Sequence, residues 1–303
     1  MKKWLIAAGG VVVLLLIYVY VFIGQTRSVV LVMSAKSNVE GADRMLRDTG
    51  NRSGCWPDEK DQGVRYTVTG LFRRMVELTI EDGQFSLRGR LSVFPNVRID
   101  SSVLQLEVFF PTSLNPVNRL RLDGEVKRIQ AVGRVFLNRL RSNLEDQEKV
   151  YGLSIRETST ADSMLVERQQ VFEQYPSDSA IYVLVGKLRQ FIRSHGGHQT
   201  GYPMFNVTEQ VGGTLEVRVA LPTDKEMKSG KDVVWRQLIH GKYLEADVRG
   251  GDGAVRTAMR QMRNYISDYQ RTMMAIPFQS LVTDRRMETD TTKWLTKIYF
   301  PIF

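Results

Sequence analysis

Chemistry requires groups that ionise, ligate or attack, and this chain uses them sparingly: three histidines and one cysteine in 303 residues. His195 and His198 stand in SHGGHQTG, a glycine-rich exit from a helical pattern, and His240 lies in a separate strand-like region. Three imidazoles can ligate a metal, but no carboxylate or cysteine accompanies them at ligand spacing. Turn histidines are the better account, and neither a metal nor another cofactor is expected. Cys55 alone permits no intrachain disulfide and reads as a buried small hydrophobe. The chain has no G-x-S-x-G, no P-loop and no helix-turn-helix, so no nucleic-acid partner is expected. GGDG at 250–253 precedes a helical pattern; it offers N–H groups to an anion but equally suits a plain strand-to-helix turn. What remains is a set of aromatic residues, Tyr202, Phe205, Trp235, Tyr243 and Phe278, which can line an apolar pocket or fill a core.

The elements that carry these residues announce themselves by periodicity. The chain closes on WLTKIYFPIF (294–303), in which Trp294, Thr296, Ile298 and Phe300 share one face of an extended segment. So many large side chains stabilise a fold only inside a sheet. The rest of that sheet follows from an internal repeat. Ile181, Leu184, Val185, Leu188, Phe191 and Ile192 form a helical stripe, and an offset of 74 carries them onto Val255, Ala258, Met259, Met262, Tyr265 and Ile266. The same offset takes Asp178, a candidate N-cap, onto Asp252, and Pro203 onto Pro277. Two copies of a strand-helix-strand-strand module are expected, at about 160–222 and 232–303, paired about a pseudo-twofold axis with a concave site between or beside their helices.

Upstream, residues 28–150 read as one antiparallel meander closed by a helix. Strand patterns occupy 28–35, 64–69, 72–80, 85–94 and 102–111, with a weak helix at 38–50, and Pro111 and the Asn-Pro at 115–116 stop the last of these strands. From Glu125, Val126, Ile129, Val132, Phe136, Leu140 and Leu144 recur at helical steps, and the sheet is the nearest cover for that stripe. Residues 4–23 carry no charge and match a hydrocarbon core roughly 30 Å thick. They are expected to form an uncleaved anchor within residues 1–27, with a cytoplasmic N-terminus. Lys and Arg number 42 against 33 Asp and Glu, and the excess is scattered, as on a solvated mixed surface. The fold class expected is therefore α+β: a transmembrane helix, an antiparallel sheet gripping a long helix, and a duplicated module.

The strings TGYPMFNV, TLEVRVALP, VVWRQLIHGKYLEADVRGG, IPFQSLVTDR and WLTKIYFPI resemble the GyrI-like small-molecule-binding domain, the effector-binding domain of AraC-type regulators, over roughly 155–302. Residues 28–150, with CWP at 55–57, the meander and the final helix, look like the SRPBCC helix-grip fold. The resemblance implies binding of hydrophobic or amphipathic small molecules. It also implies a glutamate after the Pro-aromatic pair of the second repeat and a tyrosine two positions later, where this chain has Gln279 and Leu281. Glutamine neither neutralises a buried cation nor shuttles a proton, so a neutral or lipid-like ligand fits better than a cation or a hydrolysed substrate.

These expectations combine into a single-pass protein of the bacterial inner membrane, its domains 28–150 and 151–303 in the periplasm, binding a small molecule without transforming it. The candidate ligand contacts are Tyr202, Phe205, Trp235, Tyr243, Phe278, Gln279 and Leu281, with no catalytic residue named. Two alternatives stay open: a hydrolase drawing an acid or base from Glu216 or Glu245, and an envelope scaffold whose pocket is filled by side chains. The oligomeric state stays open too.

Overall fold

The computed structural model describes residues 2–21, 28–47, 56, 63–83, 85–111, 115–160, 163–238 and 241–303. Cys55 and His240 lie outside them. The chain divides into two compact units, Met1–Val150 and Tyr151–Phe303. The class is mixed α+β, built on antiparallel sheets.

In the first unit, helix α1 runs Lys2–Val21. Two of its residues are lysines, which leaves the eighteen from Trp4 to Val21, about 27 Å at 1.5 Å per residue. Among the described residues no helix is long and apolar enough to cross a membrane. This overturns the expected single-pass anchor, its membrane partner and the periplasmic placement that followed from them.

Strands β1 (Ser28–Ala35), β2 (Val64–Phe72), β3 (Met75–Asp82), β4 (Phe85–Pro95) and β5 (Ser102–Phe109) form one sheet in the order β1-β5-β4-β3-β2. Helix α2 (Val39–Arg47) follows β1. Helix α3 spans Pro116–Leu144 and begins nine residues earlier than the apolar stripe alone predicts. Asn115-Pro116 opens this helix instead of only stopping the strand, because a proline at the first helical position gives up an N–H that has no partner there anyway. All six stripe residues from Val126 to Leu144 are buried. Gly133 lets the helix approach the sheet closely: a Cβ there would lie 2.6 Å from Leu31 Cδ1 and 3.3 Å from Leu106 Cδ2. The grip is thus a packed core along this part of the helix.

A short helix, α4 (Gln147–Tyr151), leads into the second unit. Its eight-stranded antiparallel sheet has the order β10-β7-β9-β8-β12-β13-β11-β6. The first module is β7 (Ser163–Phe172), α5 (Asp178–Ser194), β8 (Met204–Glu209) and β9 (Leu215–Thr223). The second is β11 (Gly241–Arg249), α6 (Asp252–Asp268), β12 (Phe278–Leu281) and β13 (Leu295–Ile302). The order β7-β9-β8 followed by β12-β13-β11 is the mirrored arrangement of a twofold, and the modules meet where β8 pairs with β12. Two further strands are exchanged. β6 (Arg156–Thr160), which precedes the first module, pairs with β11 of the second, and β10 (Val234–Leu238), which precedes the second, pairs with β7 of the first.

That exchange bends the sheet. Only two residues separate β6 from β7, and only two separate β10 from β11, although each pair lies at opposite ends of the strand order. Three peptide units span at most ~11 Å, so the two ends of the sheet must come together and the surface curls into a half-barrel. The helices cover the convex face, where Val166, Val217, Val219, Leu221 and Leu281 pack against α5 in one core. The tail strand alternates as its sequence predicts: Thr296, Ile298 and Phe300 are fully buried, and Leu295, Lys297 and Tyr299 face the other way. Replacing Phe300 with Ala should therefore destabilise the unit by about 3–5 kcal/mol, whereas Phe303→Ala, 80% exposed, should cost almost nothing. Urea unfolding of the two variants is the check.

Candidate functional site

Because side chains alternate along a strand, the residues between the helix-packed ones point into the hollow of the half-barrel. They surround a cavity of about 400 Å³. Leu165 of β7, Met204 of β8, Ala220 of β9 and Phe278 of β12 supply apolar wall, with Tyr243 of β11 and Pro301 of β13. Rings gather at one side: Tyr243 and Phe278 meet edge-to-face at 6.1 Å, and Phe278 stacks on Tyr299 at 4.9 Å. The polar lining is Glu167, Asn206, Arg218, Arg236 and Gln237, all from β7, β8, β9 and β10. Arg236 reaches Glu167 at 3.5 Å, and Arg218 Nε donates to Glu216 at 2.6 Å. The cavity therefore has an aromatic side from the second module and a charged side from strands packed on the first. This suits an amphipathic molecule.

Of the seven residues singled out in the sequence, the structure turns two into this cavity, Tyr243 and Phe278; Phe205 borders it, but its side chain packs in the α5 core, on the same face as its cross-strand neighbours Val219 and Gln279. Tyr202 is 53% exposed and lies off the lining. Trp235 pairs with Val166 across β10 and β7 and packs against the α5 core, on the convex face. Gln279 and Leu281 also stand on the convex face, one residue out of phase with Phe278, and both are buried. The charge missing at Gln279 therefore does not set the charge of the concave cavity, where Glu167 supplies a carboxylate. Glu216 and Glu245 are not among the lining residues. Glu216 holds Arg218, and Glu245 holds Lys297 at 2.7 Å and Arg156 at 3.2 Å. Among the described residues no group of histidine, cysteine and carboxylate side chains could hold a metal ion.

The convex face contains a polar centre that sequence reasoning missed. Arg285 is 7% exposed, and one of its nitrogens, Nη1, donates to Asp178 and to Asp252, each at 2.8 Å. Those are the equivalent first-turn residues of the two module helices. The caps themselves are Ser177, whose hydroxyl accepts from the Ala180 N–H, and Gly251, so Asp178 sits one position inside the helix from its expected cap role. Arg285 Nη2 donates to the Thr296 hydroxyl at 3.1 Å, and the guanidinium lies 4.6 Å from the centre of the Trp294 ring. Each carboxylate also lies near the positive end of its helix dipole. Beside this centre Gln279 hydrogen-bonds Tyr175, whose hydroxyl pKa is raised by burial and by the Asp252 carboxylate. The turn that delivers Arg285 is held by its neighbours: Arg286 donates to Asp284 at 2.6 and 3.0 Å and lies over the Tyr182 ring. The Arg286 hydrogen bond lowers the Asp284 pKa from 3.8 to about 2. The only sequence signal for the centre was the 178/252 equivalence, which puts two like charges near one axis.

No family model and no curated protein matches this chain. Several solved structures resemble it. The C-terminal domain of EcmrR matches over 50% of this chain and 98% of its own, at 13% identity and a TM-score of 0.44. EcmrR in its complex with DNA matches over 63% and 72%, at 16% and 0.46. SAV2435 bound to tetraphenylphosphonium matches over 50% and 94%, at 18% and 0.34. A hydrolase from Listeria innocua matches over 50% and 92%, at 8% and 0.39. At such identities and TM-scores these likenesses carry no argument about this chain.

Two outcomes test the convex centre. Arg285→Gln leaves two like charges facing each other and should cost about 2–3 kcal/mol. That is less than the ~3–5 of a fully buried pair because the carboxylates are partly exposed, and adding Asp178→Asn and Asp252→Asn should recover part of the loss. Asp284 has a depressed pKa, so its stabilisation is complete above its ordinary value and disappears as pH falls through about 2. The stability profiles of the parent protein and Asp284→Asn should therefore converge in acid, read by urea unfolding at each pH.

Proposed function

We propose that the C-terminal unit binds an apolar or amphipathic small molecule in the hollow of its half-barrel, without transforming it. The observation that carries this reading is the cavity of about 400 Å³ with an aromatic side at Tyr243 and Phe278 and a charged side at Glu167, Arg218 and Arg236. Pockets of this size and make-up suit small ligands. An open cavity also speaks for a ligand over a scaffold whose hollow is filled by its own side chains. The resemblance of residues 155–302 to the GyrI-like group supports the same reading, and Tyr243 and Phe278 are the ligand contacts the cavity favours. Residues 28–150, in the same proposal, form a helix-grip domain in front of this binding domain. A purely neutral ligand is not required, since charged groups stand at one side of the cavity.

The test uses the full chain and a fluorescent apolar probe such as anilinonaphthalene sulfonate. Removing a ring that buries ligand area forfeits about 1.5–3 kcal/mol, so Phe278→Ala or Tyr243→Ala should weaken probe binding ~10-fold or more. Tyr202→Ala, off the lining, should leave it unchanged. Equal affinity in all three variants would remove the cavity from consideration, and native mass spectrometry of the purified chain should reveal any ligand that co-purifies.

A further inference from the structure

A second concavity of about 350 Å³ lies on the convex side of the same unit, between α5, strand β7 and the segment 230–233 that leads into β10. Its lining carries three cations, Arg168, Lys187 and Lys231, against one carboxylate, Asp232. Arg168 meets Asp232 through Nη2 at 3.3 Å, while its Nε is buried and has no hydrogen-bond partner among the described residues. Lys187 and Lys231 form no ion pair among the described residues. The segment is held in place: the Gly230 N–H donates to the Val233 carbonyl at 2.8 Å, and the Trp235 N–H to the Ser229 hydroxyl at 3.0 Å. Gly230 also lies against Phe191 of α5, where a Cβ would approach the ring to 3.3 Å. Along α5, Lys187, Gln190 and Ser194 are spaced three and four residues apart and present one face to the cleft.

Like charges gathered in a concave place repel unless an anion joins them, and a buried N–H without a partner costs free energy unless something accepts from it. A guanidinium supplies directional donors and two ammonium groups supply point charges, a set that matches the several oxygens and double charge of a phosphate. We propose that this cleft binds a phosphate group, free or as the ester of a small molecule. A carboxylate would engage the Arg168 fork and leave the lysines unused. The site is separate from the half-barrel hollow and does not depend on what that hollow binds.

The experiment is calorimetric titration of the full chain at low ionic strength, where exposed charges are least screened. Inorganic phosphate should bind saturably, and acetate should bind more weakly. The double variant Lys187→Ala/Lys231→Ala should bind phosphate ~10-fold or more weakly. Both lysines are exposed, so a thermal melt should show this variant folded as the parent is. Arg260→Ala/Arg263→Ala removes two charges from the exposed side of α6, away from the cleft, and should leave phosphate binding unchanged. Glycerol 3-phosphate identifies the source: tighter binding than inorganic phosphate assigns the cleft to esters, and weaker binding assigns it to the free ion. No saturable binding of either, or equal losses in the two double variants, would overturn the proposal, since equal losses mark a general attraction to a basic chain.

Discussion

The second unit is governed by a length constraint. Strands at opposite ends of an eight-stranded sheet are joined through two residues, twice, so an open flat sheet is geometrically impossible. Closing the two ends toward each other gives the sheet a convex and a concave face. The strand alternation then assigns every second side chain to the hollow. Phe278 faces inward and Gln279 outward for this reason alone, and the same parity sends Arg218 in and Val219 out. The cavity thus follows from the exchange of β6 and β10 between modules, with no insertion or special loop needed to form it.

The convex face meets a different demand. Duplication delivers two helices whose first turns converge, each with an aspartate, and like charges brought together need a counter-ion. One guanidinium meets that need for both. The residue 74 positions before Arg285 is Val211, fully exposed in a turn, so the twofold is broken at the residue that serves the axis. A single cation near a pseudo-axis can neutralise both copies, and a second one there would replace one repulsion with another. Thr296 and Trp294 come from the segment that ends the chain, so the terminal strand contributes to this polar centre as well as to the core.

Much of this architecture is legible in the sequence where burial is periodic. The stripe from Val126 to Leu144, the paired stripes beginning at Ile181 and Val255, and the alternating tail all show their inner faces, because a helix or strand buried on one side must repeat its apolar residues at its own period. Local signals that depend on context are less legible. Pro116 reads as a stop because it ends a strand, yet it begins a helix. Asp178 reads as a cap because it precedes an apolar stripe, yet Ser177 takes that role one residue earlier. The uncharged segment 4–23 reads as a membrane span from its composition, but no described helix is long and apolar enough to cross a membrane.

What the sequence determined by itself was the inventory of modules, the inner face of each element and the absence of the familiar catalytic motifs, since these depend on residues near one another along the chain. Only the tertiary structure decided which of two faces became the hollow. It alone brought Glu167 to Arg236, Asp178 to Asp252, and Arg168 to Lys187 and Lys231. Those encounters depend on how strands far apart in the chain are ordered and on the curl that their short links impose. No pattern within a single strand or helix carries information about either.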